Sequence, residues 1–393
     1  MKTYGTIVLG LGAMGSATLH HLAKRGRSVV GIDSHSPPHA RGSSHGDTRI
    51  TRLAIGEGAH YTPLALRSHA LWRELEREMG VQLLTANGGL FISSAARSAV
   101  LHVPDFFANT LAAARDHGIA HEVLDAATIR RRFPVFRVAS DEYGYFEPAA
   151  GFLRPEACIN AHLKSAEQHG AEIRRNERVT NFDASARGAT VITDSGRYAA
   201  DRLIIAAGAW LPTLVDARLG RHFKIYRQQI YWFDIDGDPA PFLPAALPIF
   251  IWELQGRPHG FYGFPALDGP RGGVKVGTEQ FEIETTADVP DRPVSAADIA
   301  AVHADLVAPF LRGLAPRCVK IVSCLYTVTA DFGFVIDRHP DSDRVLIVAP
   351  CSGHGFKHSP AIGEAAAAWA DDGAMPPSFQ PFGLSRFAPS PPP

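Results

Sequence analysis

The chain opens with two apolar segments separated by a glycine-rich turn. Residues 4–9 form a short continuous apolar run that predicts a buried strand, and residues 10–15 follow it directly with the pattern GLGAMG. Apolar side chains then recur at helical spacing over residues 17–23, a glycine ends that pattern, and residues 28–32 predict a second strand. The amino terminus is therefore predicted to form a strand-helix-strand unit.

The glycine spacing in this unit is typical of a dinucleotide-binding turn. Gly10 permits the tight turn, Gly12 lets the backbone approach a pyrophosphate, and Gly15 lets the helix pack closely on the strand. Asp33 ends the second strand, where a carboxylate can bind the hydroxyl pair of a ribose. The motif predicts a bound dinucleotide but does not separate NAD from FAD.

Composition and charge narrow the class of protein. The 393 residues are 46% hydrophobic and 20% charged, which favours two packed domains, and the longest apolar runs are too short to span a bilayer. Lys plus Arg (39) nearly balance Asp plus Glu (40), so no overall charge attracts nucleic acid or a membrane. A strand predicted from residue 4 leaves no room for a secretion signal, so we expect a cytoplasmic protein.

The cysteines favour reduced thiols over a structural role. Cys158, Cys318, Cys324 and Cys351 are widely spaced and form no CxxC pair, which argues against a disulfide framework. We expect no metal site, because the cysteine and histidines of residues 351–358 lack an apparent fourth ligand.

Further motifs follow in an order that resembles one family. They are residues 42–52 (GSSHGDTRITR), 262–265 (YGFP), 275–277 (KVG), 324–327 (CLYT), 334–340 (FVIDRHP) and 352–357 (SGHGFK). With Glu57 and the glycine turn, they resemble the sarcosine oxidase and N-methyltryptophan oxidase group of FAD-dependent amine oxidases over nearly the whole chain. HGDTR and SGHGFK are the more specific motifs, since many flavoproteins and dehydrogenases share the glycine turn.

The resemblance implies a mixed α/β fold, with a Rossmann-like FAD-binding domain and a second, sheet-based substrate domain. We expect the FAD-binding domain to comprise residues 1–85, 150–218 and 320–393, and the substrate domain residues 86–149 and 219–319. Residues 201–210 predict a strand that ends at the cofactor, after earlier strands within 171–179 and 189–193 as in glutathione-reductase-like flavoproteins. The proline-rich end after Met375 is expected to lie irregularly on the surface.

The residues expected to hold FAD come from all three segments of that domain. Residues 42–46 form a small polar loop that can approach a flat ring and phosphates. The resemblance places Cys324 where the family attaches the 8α-methyl of FAD through a thioether, with Cys318 as a competing nucleophile. The expected cofactor residues are Gly10, Gly12, Ala13, Met14, Gly15, Asp33, Ser34, Gly42, Ser43, Ser44, His45, Arg49, Val179, Ala207, Gly208, Trp210, Cys324, Gly353, His354, Gly355 and Lys357.

Charged and aromatic residues of the motifs predict the chemistry. Arg49 and Arg52 lie three apart and would share one face of a helical turn, and the resemblance implies that Arg52 and Lys357 bind a substrate carboxylate. Lys275 lies in an apolar setting, where a fixed positive charge would stabilise the charge that develops as oxygen is reduced. The expected catalytic residues are Lys275, Arg49, His45 and Tyr326, and the expected substrate residues are Arg52, Glu57, Tyr262, Glu279, Tyr326 and Lys357.

Each of these assignments has a purely structural alternative. The arginine pair can be a solvated ion-pair cluster, Lys275 a surface lysine of a strand, and buried tyrosines ordinary core aromatics. Val179, expected at the adenine, can equally be a core residue of an ordinary strand.

Two positions depart from the family's pattern. Glu279 stands four residues after Lys275, where simple sarcosine oxidases carry a histidine that meets the substrate. A glutamate cannot donate to a carboxylate, so Glu279 either balances the charge of Arg52 and Lys357 or contacts a polar extension of the substrate. Ser44 stands where close relatives often have a second histidine.

The sequence therefore predicts an FAD-dependent oxidase of a secondary amino acid such as sarcosine, which forms an imine and reduces oxygen to hydrogen peroxide. A fructosyl amino acid or pipecolate oxidase is the alternative within this class. An NAD-dependent dehydrogenase and a nonenzymatic flavin-binding regulator are the alternatives of other classes. We expect a monomer whose partners are a small amine and oxygen.

Overall fold

The fold is that of a computed structural model, which describes residues 1–96, 102–257, 260–289 and 294–387. Its strands are β1 (Lys2–Leu9), β2 (Val29–Ile32), β3 (Arg49–Thr51), β4 (Leu84–Thr85), β5 (Gly89–Ser94), β6 (Glu122–Asp125), β7 (Glu142–Glu147), β8 (Gly151–Leu153), β9 (Glu172–Arg174), β10 (Val179–Ser185), β11 (Gly188–Thr193), β12 (Arg197–Ile205), β13 (Lys224–Ile235), β14 (Ile249–Trp252), β15 (Phe261–Phe264), β16 (Val274–Thr278), β17 (Leu314–Val328), β18 (Val335–His339) and β19 (Ser342–Ala349). Its helices are α1 (Ala13–Lys24), α2 (Tyr61–Met79), α3 (Phe106–Asp116), α4 (Ala126–Arg132), α5 (Pro155–Gln168), α6 (Leu211–Leu214), α7 (Ala217–Gly220), α8 (Ala296–Val302) and α9 (Ser359–Asp372).

The first sheet is built around the predicted strand-helix-strand unit. Strand β1 pairs in parallel with β2 on one side and with β12 on the other, and β19 pairs in parallel with the end of β12. The order β10-β11-β12-β1-β2-β9, with β18 and β19 added beside β12, completes an eight-stranded sheet. The mixed α/β fold and the unit formed by β1, α1 and β2 are therefore confirmed.

Small residues let the helices pack closely on one face of this sheet. A Cβ on Gly363 of α9 would lie 2.6 Å from the carbonyl carbon of Ala17 in α1, so the two helices touch through their backbones. Helix α9 begins at Ser359, with Pro360 in its first turn, where the missing N–H of proline costs no hydrogen bond. The carboxyl terminus departs from prediction, because Phe379 and Phe382 are fully buried in this core rather than lying on the surface.

The second sheet has the order β17-β13-β16-β15-β14-β5-β7-β6. Strands β13 and β17 pair antiparallel from Lys224 opposite Val328 to Ile235 opposite Leu314. The predicted domain boundary at residue 320 falls inside β17, whose backbone pairing with β13 places residues through Val328 in the second sheet. The domain boundaries stay predictions; a small sheet of β3, β8 and β4 lies between residues 49 and 153.

Within the described residues, no helix is both long enough and apolar enough to cross a bilayer.

Histidines packed inside the fold make its stability depend on pH. Burial lowers the pKa values of His20, His45 and His69 from 6.5 to about 4. Since the unfolded chain binds these protons more tightly, the stabilisation is complete above the unfolded pKa and is lost as the pH falls towards the folded value.

We therefore expect the free energy of unfolding, measured with urea, to fall steadily from about pH 7 to about pH 4.5, by up to about 1.4 kcal/mol for each unit of lowered pKa per histidine. His69→Gln should make this fall less steep, because one lowered pKa is removed. His117→Gln, at an exposed position, is the matched control and should leave the slope unchanged. An unaltered slope in the His69 variant would contradict the assignment.

Candidate active site

A large cavity of about 640 Å³ lies at the carboxyl ends of the parallel strands of the first sheet. Most residues expected at the cofactor line it. They are Gly10, Gly12, Ala13, Met14, Asp33, Ser34, Gly42, Ser43, Ser44, Arg49, Val179, Ala207, Gly208, Trp210, Gly353 and Gly355. Three chain segments that are distant in sequence therefore form one elongated site.

The glycine turn has the geometry that its spacing predicts. Gly10 has a φ of 80°, and a Cβ on Gly15 would lie 1.7 Å from the carbonyl oxygen of Gly10, so helix and strand meet without a side chain between them. A Cβ on Gly12 would meet no atom closer than Ser44 Oγ at 3.7 Å, which leaves the start of α1 open to the cavity. An anion is favoured there by the free N–H groups of the helix.

Asp33 is fixed by the backbone of the same turn. One of its carboxylate oxygens accepts a hydrogen bond from the Leu11 N–H at 2.7 Å, and the other accepts from the His35 N–H at 2.8 Å. Trp210 closes another part of the cavity, where its Nε1–H donates to Asp288 at 3.0 Å. His35, His39, Arg178 and Asp288 were missed from the sequence, although all four line the cavity.

A second, smaller cavity of about 100 Å³ adjoins the first. Arg49, Tyr326, Gly353 and Phe356 line both cavities and mark where they meet. All six residues expected at the substrate line the smaller one, namely Arg52, Glu57, Tyr262, Glu279, Tyr326 and Lys357. Phe106, Phe261 and Phe264 add aromatic surface to its wall.

Several expected cofactor residues have other positions. Cys324, His354 and Lys357 line the smaller cavity, not the larger one. Among the described residues, His45 is buried yet lines neither cavity, and its pKa is lowered to about 4 by burial and by the neighbouring Arg49. Gly15 does not line the large cavity, but it packs directly against Gly10, which does.

Strand pairing brings the chemical side chains together. Cys324 and Tyr326 lie two residues apart on β17 and so share one face of the second sheet. Lys275 on β16 pairs with Phe264 on β15, and Tyr262 pairs with Gly277. The sheet thus presents a cysteine, two tyrosines and a lysine to the smaller cavity.

Arg49 and Arg52 are not on a helical turn as predicted. Arg49 begins strand β3, which pairs antiparallel with β8, and Arg52 follows the end of that strand. The two arginine side chains therefore have different hydrogen-bond partners. Arg49 donates to the carbonyl oxygens of Ser43 at 2.5 Å and Thr48 at 2.7 Å, and so fixes the polar loop of residues 42–48.

Lys275 is buried and fully hydrogen-bonded. Its Nζ donates to the carbonyl oxygens of Gly46 at 2.7 Å and Thr48 at 3.0 Å and to Thr48 Oγ1 at 2.8 Å, which uses all three of its donors. The ammonium also lies 4.6 Å from the ring centre of Phe264. Burial and then Arg49 hold the pKa of Lys275 well below its ordinary value, and an anion in the adjoining cavity would favour its charged form.

Arg52 forms a buried ion pair. Its guanidinium donates to Glu57 Oε2 at 2.5 Å and to the carbonyl oxygen of Ala54 at 2.5 Å, and both charged side chains are less than 5% exposed. Burial raises the pKa of Glu57, but Arg52 and Lys357 outweigh it and hold the pKa well below its ordinary value. The predicted carboxylate clamp therefore already holds a carboxylate of the chain.

Lys357 lies on the other side of Glu57. Its Nζ donates to the carbonyl oxygen of His354 at 2.7 Å, and burial lowers its pKa to about 7 against the opposing effect of Glu57. A bound carboxylate would shift this balance towards the charged lysine.

His102 is the residue of the smaller cavity that the sequence did not indicate. Its Nε2 lies 2.6 Å from Glu279 Oε1, and its Nδ1 lies 4.0 Å from Glu57 Oε1. His102 belongs to no motif, and only the tertiary fold brings it beside Glu279. The residue at the position that departs from the family's pattern is thus a partner of an imidazole from another segment.

Comparison with known proteins agrees with this geometry. Residues 6–369 match the model of a family described as FAD dependent oxidoreductase. The chain belongs to this family. FAD is therefore its cofactor, and the choice between FAD and NAD that the glycine turn left open is decided for FAD.

Relatives within this family of FAD oxidoreductases share nearly the whole chain. The monomeric sarcosine oxidase of Streptomyces avermitilis is 40% identical over 97% of this chain and 96% of its own. The monomeric sarcosine oxidase of Bacillus sp. strain B-0618 is 36% identical over 98% and 96%. The N-methyl-L-tryptophan oxidase of Yersinia pestis strain Pestoides F is 34% identical over 98% and 99%. The resemblance stated from the motifs is confirmed.

Solved structures of flavin oxidases show the same fold. NikD, an amino acid oxidase of nikkomycin biosynthesis, superposes with a TM-score of 0.80 at 23% identity over 95% of each chain. Glycine oxidase from Geobacillus kaustophilus gives 0.74 at 20% identity over 99% of this chain and all of its own. Because both identities are low, these structures support only the fold of this oxidoreductase.

The residues of the large cavity fit FAD. The open start of α1 suits a pyrophosphate, the small residues of the 42–46 loop admit a flat ring, and Asp33 lies where a ribose would be bound. The cavity's junction with the smaller one, at Arg49 and Tyr326, is where a reactive ring could meet a substrate.

Proposed function

We propose that this FAD oxidoreductase oxidises a small secondary amino acid, such as sarcosine or another N-methyl amino acid, to an imine and reduces oxygen to hydrogen peroxide. Water then hydrolyses the imine to an aldehyde and an amine. The observation that carries the proposal is the small aromatic cavity beside the cofactor cavity, with the buried cations of Arg52 and Lys357 in its wall. The names of three relatives that share nearly the whole chain support it.

Residues that line the small cavity orient the substrate. FAD, when bound, accepts a hydride from the carbon beside the nitrogen and passes the electrons to oxygen. Lys357 binds the substrate carboxylate beside the ion pair of Arg52 and Glu57, which fixes that carbon at the junction of the cavities. Tyr262 and Tyr326 stay protonated because burial raises the pKa of both, and they shield the site from water together with the phenylalanines.

The substrate amine has to be neutral, because an ammonium nitrogen has no free electron pair. The cavity's cations favour this form of the amine, since a second positive charge beside Lys357 and Arg52 is repelled. We also expect a monomer, in line with the relatives that are named monomeric.

The direct test is anaerobic bleaching of the purified yellow protein by secondary amino acids. Sarcosine, another N-methyl amino acid or pipecolate should bleach it, and admission of oxygen should restore the colour with one peroxide formed for each substrate oxidised. Fructosyl amino acids form the comparison set, because they retain the secondary amine on a bulky sugar that a cavity of about 100 Å³ would exclude. Failure of every secondary amine would refute the proposal.

Cys324 is proposed as the residue that attaches FAD covalently. Its side chain is buried and lines the small cavity, two residues before Tyr326, which lines both cavities. A thioether joins its sulfur to the 8α-methyl carbon with loss of two hydrogens, which oxygen can accept. Cys351 also lines the large cavity, whereas Cys318 lies apart from both.

Acid precipitation should therefore leave the yellow colour in the pellet of the unmodified protein. In Cys324→Ala the colour should move entirely to the supernatant, because the only bond holding FAD in the denatured chain is gone. Cys351→Ala, at the other cysteine of the site, is the matched control and should retain the colour in the pellet. Release from the Cys351 variant instead would reassign the linkage, and release from the unmodified protein would exclude one.

Lys275 is proposed to favour the reaction with oxygen. Lys275→Met should slow the return of colour under oxygen on the order of 100-fold, while anaerobic bleaching by substrate changes much less, because the charge stabilises only the reduction of oxygen. Lys320→Met is the matched control, since Lys320 lies 4.9 Å from the Trp232 ring that Lys275 also contacts, but is exposed and paired with Asp47. If bleaching by substrate and the return of colour under oxygen slow equally, the role of Lys275 is to hold the 46–48 loop.

A further inference from the structure

His102 and Glu279 form a buried ion pair in the wall of the small cavity. Their side chains are 7% and 9% exposed, and Nε2 of His102 lies 2.6 Å from Oε1 of Glu279. Burial lowers the pKa of His102, but Glu279 and then Glu57 outweigh it, so that its pKa is raised overall. The raised pKa favours the charged imidazole beside the carboxyl group of Glu279.

The backbone at Gly353 makes room for this imidazole. Gly353 has a φ of 84°, and a Cβ there would lie 3.0 Å from His102 Nε2 and 2.9 Å from Tyr326 Cε2. The ring of His102 also packs against the rings of His354, at 5.0 Å between centres, and Phe332, at 5.7 Å. Contacts on three sides fix His102 in the cavity wall.

Charges at this end of the cavity balance in pairs. Glu57 is paired with Arg52, and Glu279 is paired with His102. Among the described residues that line the small cavity, Arg49, Lys275 and Lys357 have no carboxylate within ion-pair distance. Arg49 and Lys275 donate to oxygens of the 43–48 loop, whereas Lys357 donates to the carbonyl oxygen of His354. A substrate carboxylate can pair with Lys357, whereas a further charge on the substrate would meet Glu57 and Glu279 already paired with Arg52 and His102.

We propose that His102 is a specificity-determining residue, which by neutralising Glu279 makes the cavity select secondary amino acids with one carboxylate and an uncharged side chain. The inference rests on the proposed function for the reaction and adds the substrate class. Glu279 then acts as a charge partner within the protein rather than as a receptor for a cationic substrate. Without His102 its carboxylate would become such a receptor, and without Glu279 the imidazolium would attract a second carboxylate.

Three substrates of nearly equal size separate charge from shape. N-methylasparagine has a neutral side chain, N-methylaspartate an acidic one, and N-methyl-2,3-diaminopropionate a cationic one. The unmodified protein should favour the neutral substrate by at least about tenfold in kcat/KM, which corresponds to about 1.4 kcal/mol for one unbalanced charge.

Complementary variants of the pair should then shift preference in opposite directions. His102→Asn should raise kcat/KM for the cationic substrate relative to the neutral one by at least about tenfold, and Glu279→Gln should do so for the acidic substrate. The double variant, which removes both charges, should again have its highest kcat/KM for the neutral substrate. These shifts should appear mainly in KM, because the side chain contacts the wall equally before and during reaction.

The controls separate charge recognition from structural damage. Glu122→Gln breaks a distant exposed ion pair with Arg132 and should leave all three ratios unchanged. The spectrum of bound FAD and the thermal transition verify that each variant is folded. If His102→Asn and Glu279→Gln, both folded, change the three substrates by the same factor, His102 has only a structural role and the inference is overturned.

A binding experiment keeps the inference separate from the reaction itself. Succinamate, succinate and 4-aminobutyrate carry neutral, acidic and cationic ends beside one carboxylate and contain no oxidisable secondary amine. Their dissociation constants, measured from the spectrum of bound FAD, should follow the same order and the same shifts in the two variants. If these hold while no secondary amine is oxidised, the proposed reaction is wrong and the charge selection stands; if the order is absent, the selection is refuted whether or not amines react.

Discussion

Buried charged groups share the wall of the small cavity, and burying each of them without a partner would cost several kcal/mol. This constraint organises the whole substrate end. Arg52 is held by Glu57, His102 by Glu279, and Lys275 by three oxygens of the 46–48 loop. Arg52 and Glu57 are close in sequence, but the partners of His102 and Lys275 come from distant parts of the chain, so these charges cannot be satisfied until the surrounding segments are in place.

The same constraint explains the position of the site at the seam between the two sheets. The first sheet supplies the open glycine turn and the start of α1, which suit phosphates, whereas the second sheet supplies a flat wall of aromatic residues and Lys275. Strand β3 and the loop before it lie between them, with Arg49 tied to that loop and Arg52 turned into the small cavity. Neither sheet alone supplies both the phosphate-binding turn and the aromatic wall.

Local patterns predicted what depends on local geometry. The strand, glycine turn and helix at the amino terminus follow from apolar spacing and from backbone freedom at Gly10, and the structure has them as expected. Motif resemblance also placed all six expected substrate residues in one cavity. These successes share a cause, because motifs record side chains that have to meet one ligand.

Features that arise from pairing between distant segments were missed. Arg49 was expected on a helical turn, but pairing of β3 with β8, about a hundred residues later, makes it a strand. No pattern in the sequence indicated that β17 continues through residue 320 and pairs along its length with β13. His102 gave no signal, since its role exists only through Glu279, and Phe379 and Phe382 were hidden in a proline-rich segment that resembles a surface tail.

The close contact between α1 and α9 has a consequence for how the protein is made. Helix α1, which follows the glycine turn, packs its backbone against Gly363. Strand β12, which pairs with β1, also pairs with β19. The amino-terminal unit therefore depends on segments more than three hundred residues later. Contacts of such sequence separation form slowly and only after the intervening chain exists. The ribosome must therefore have synthesised and released the chain through Gly363 before the FAD site can close.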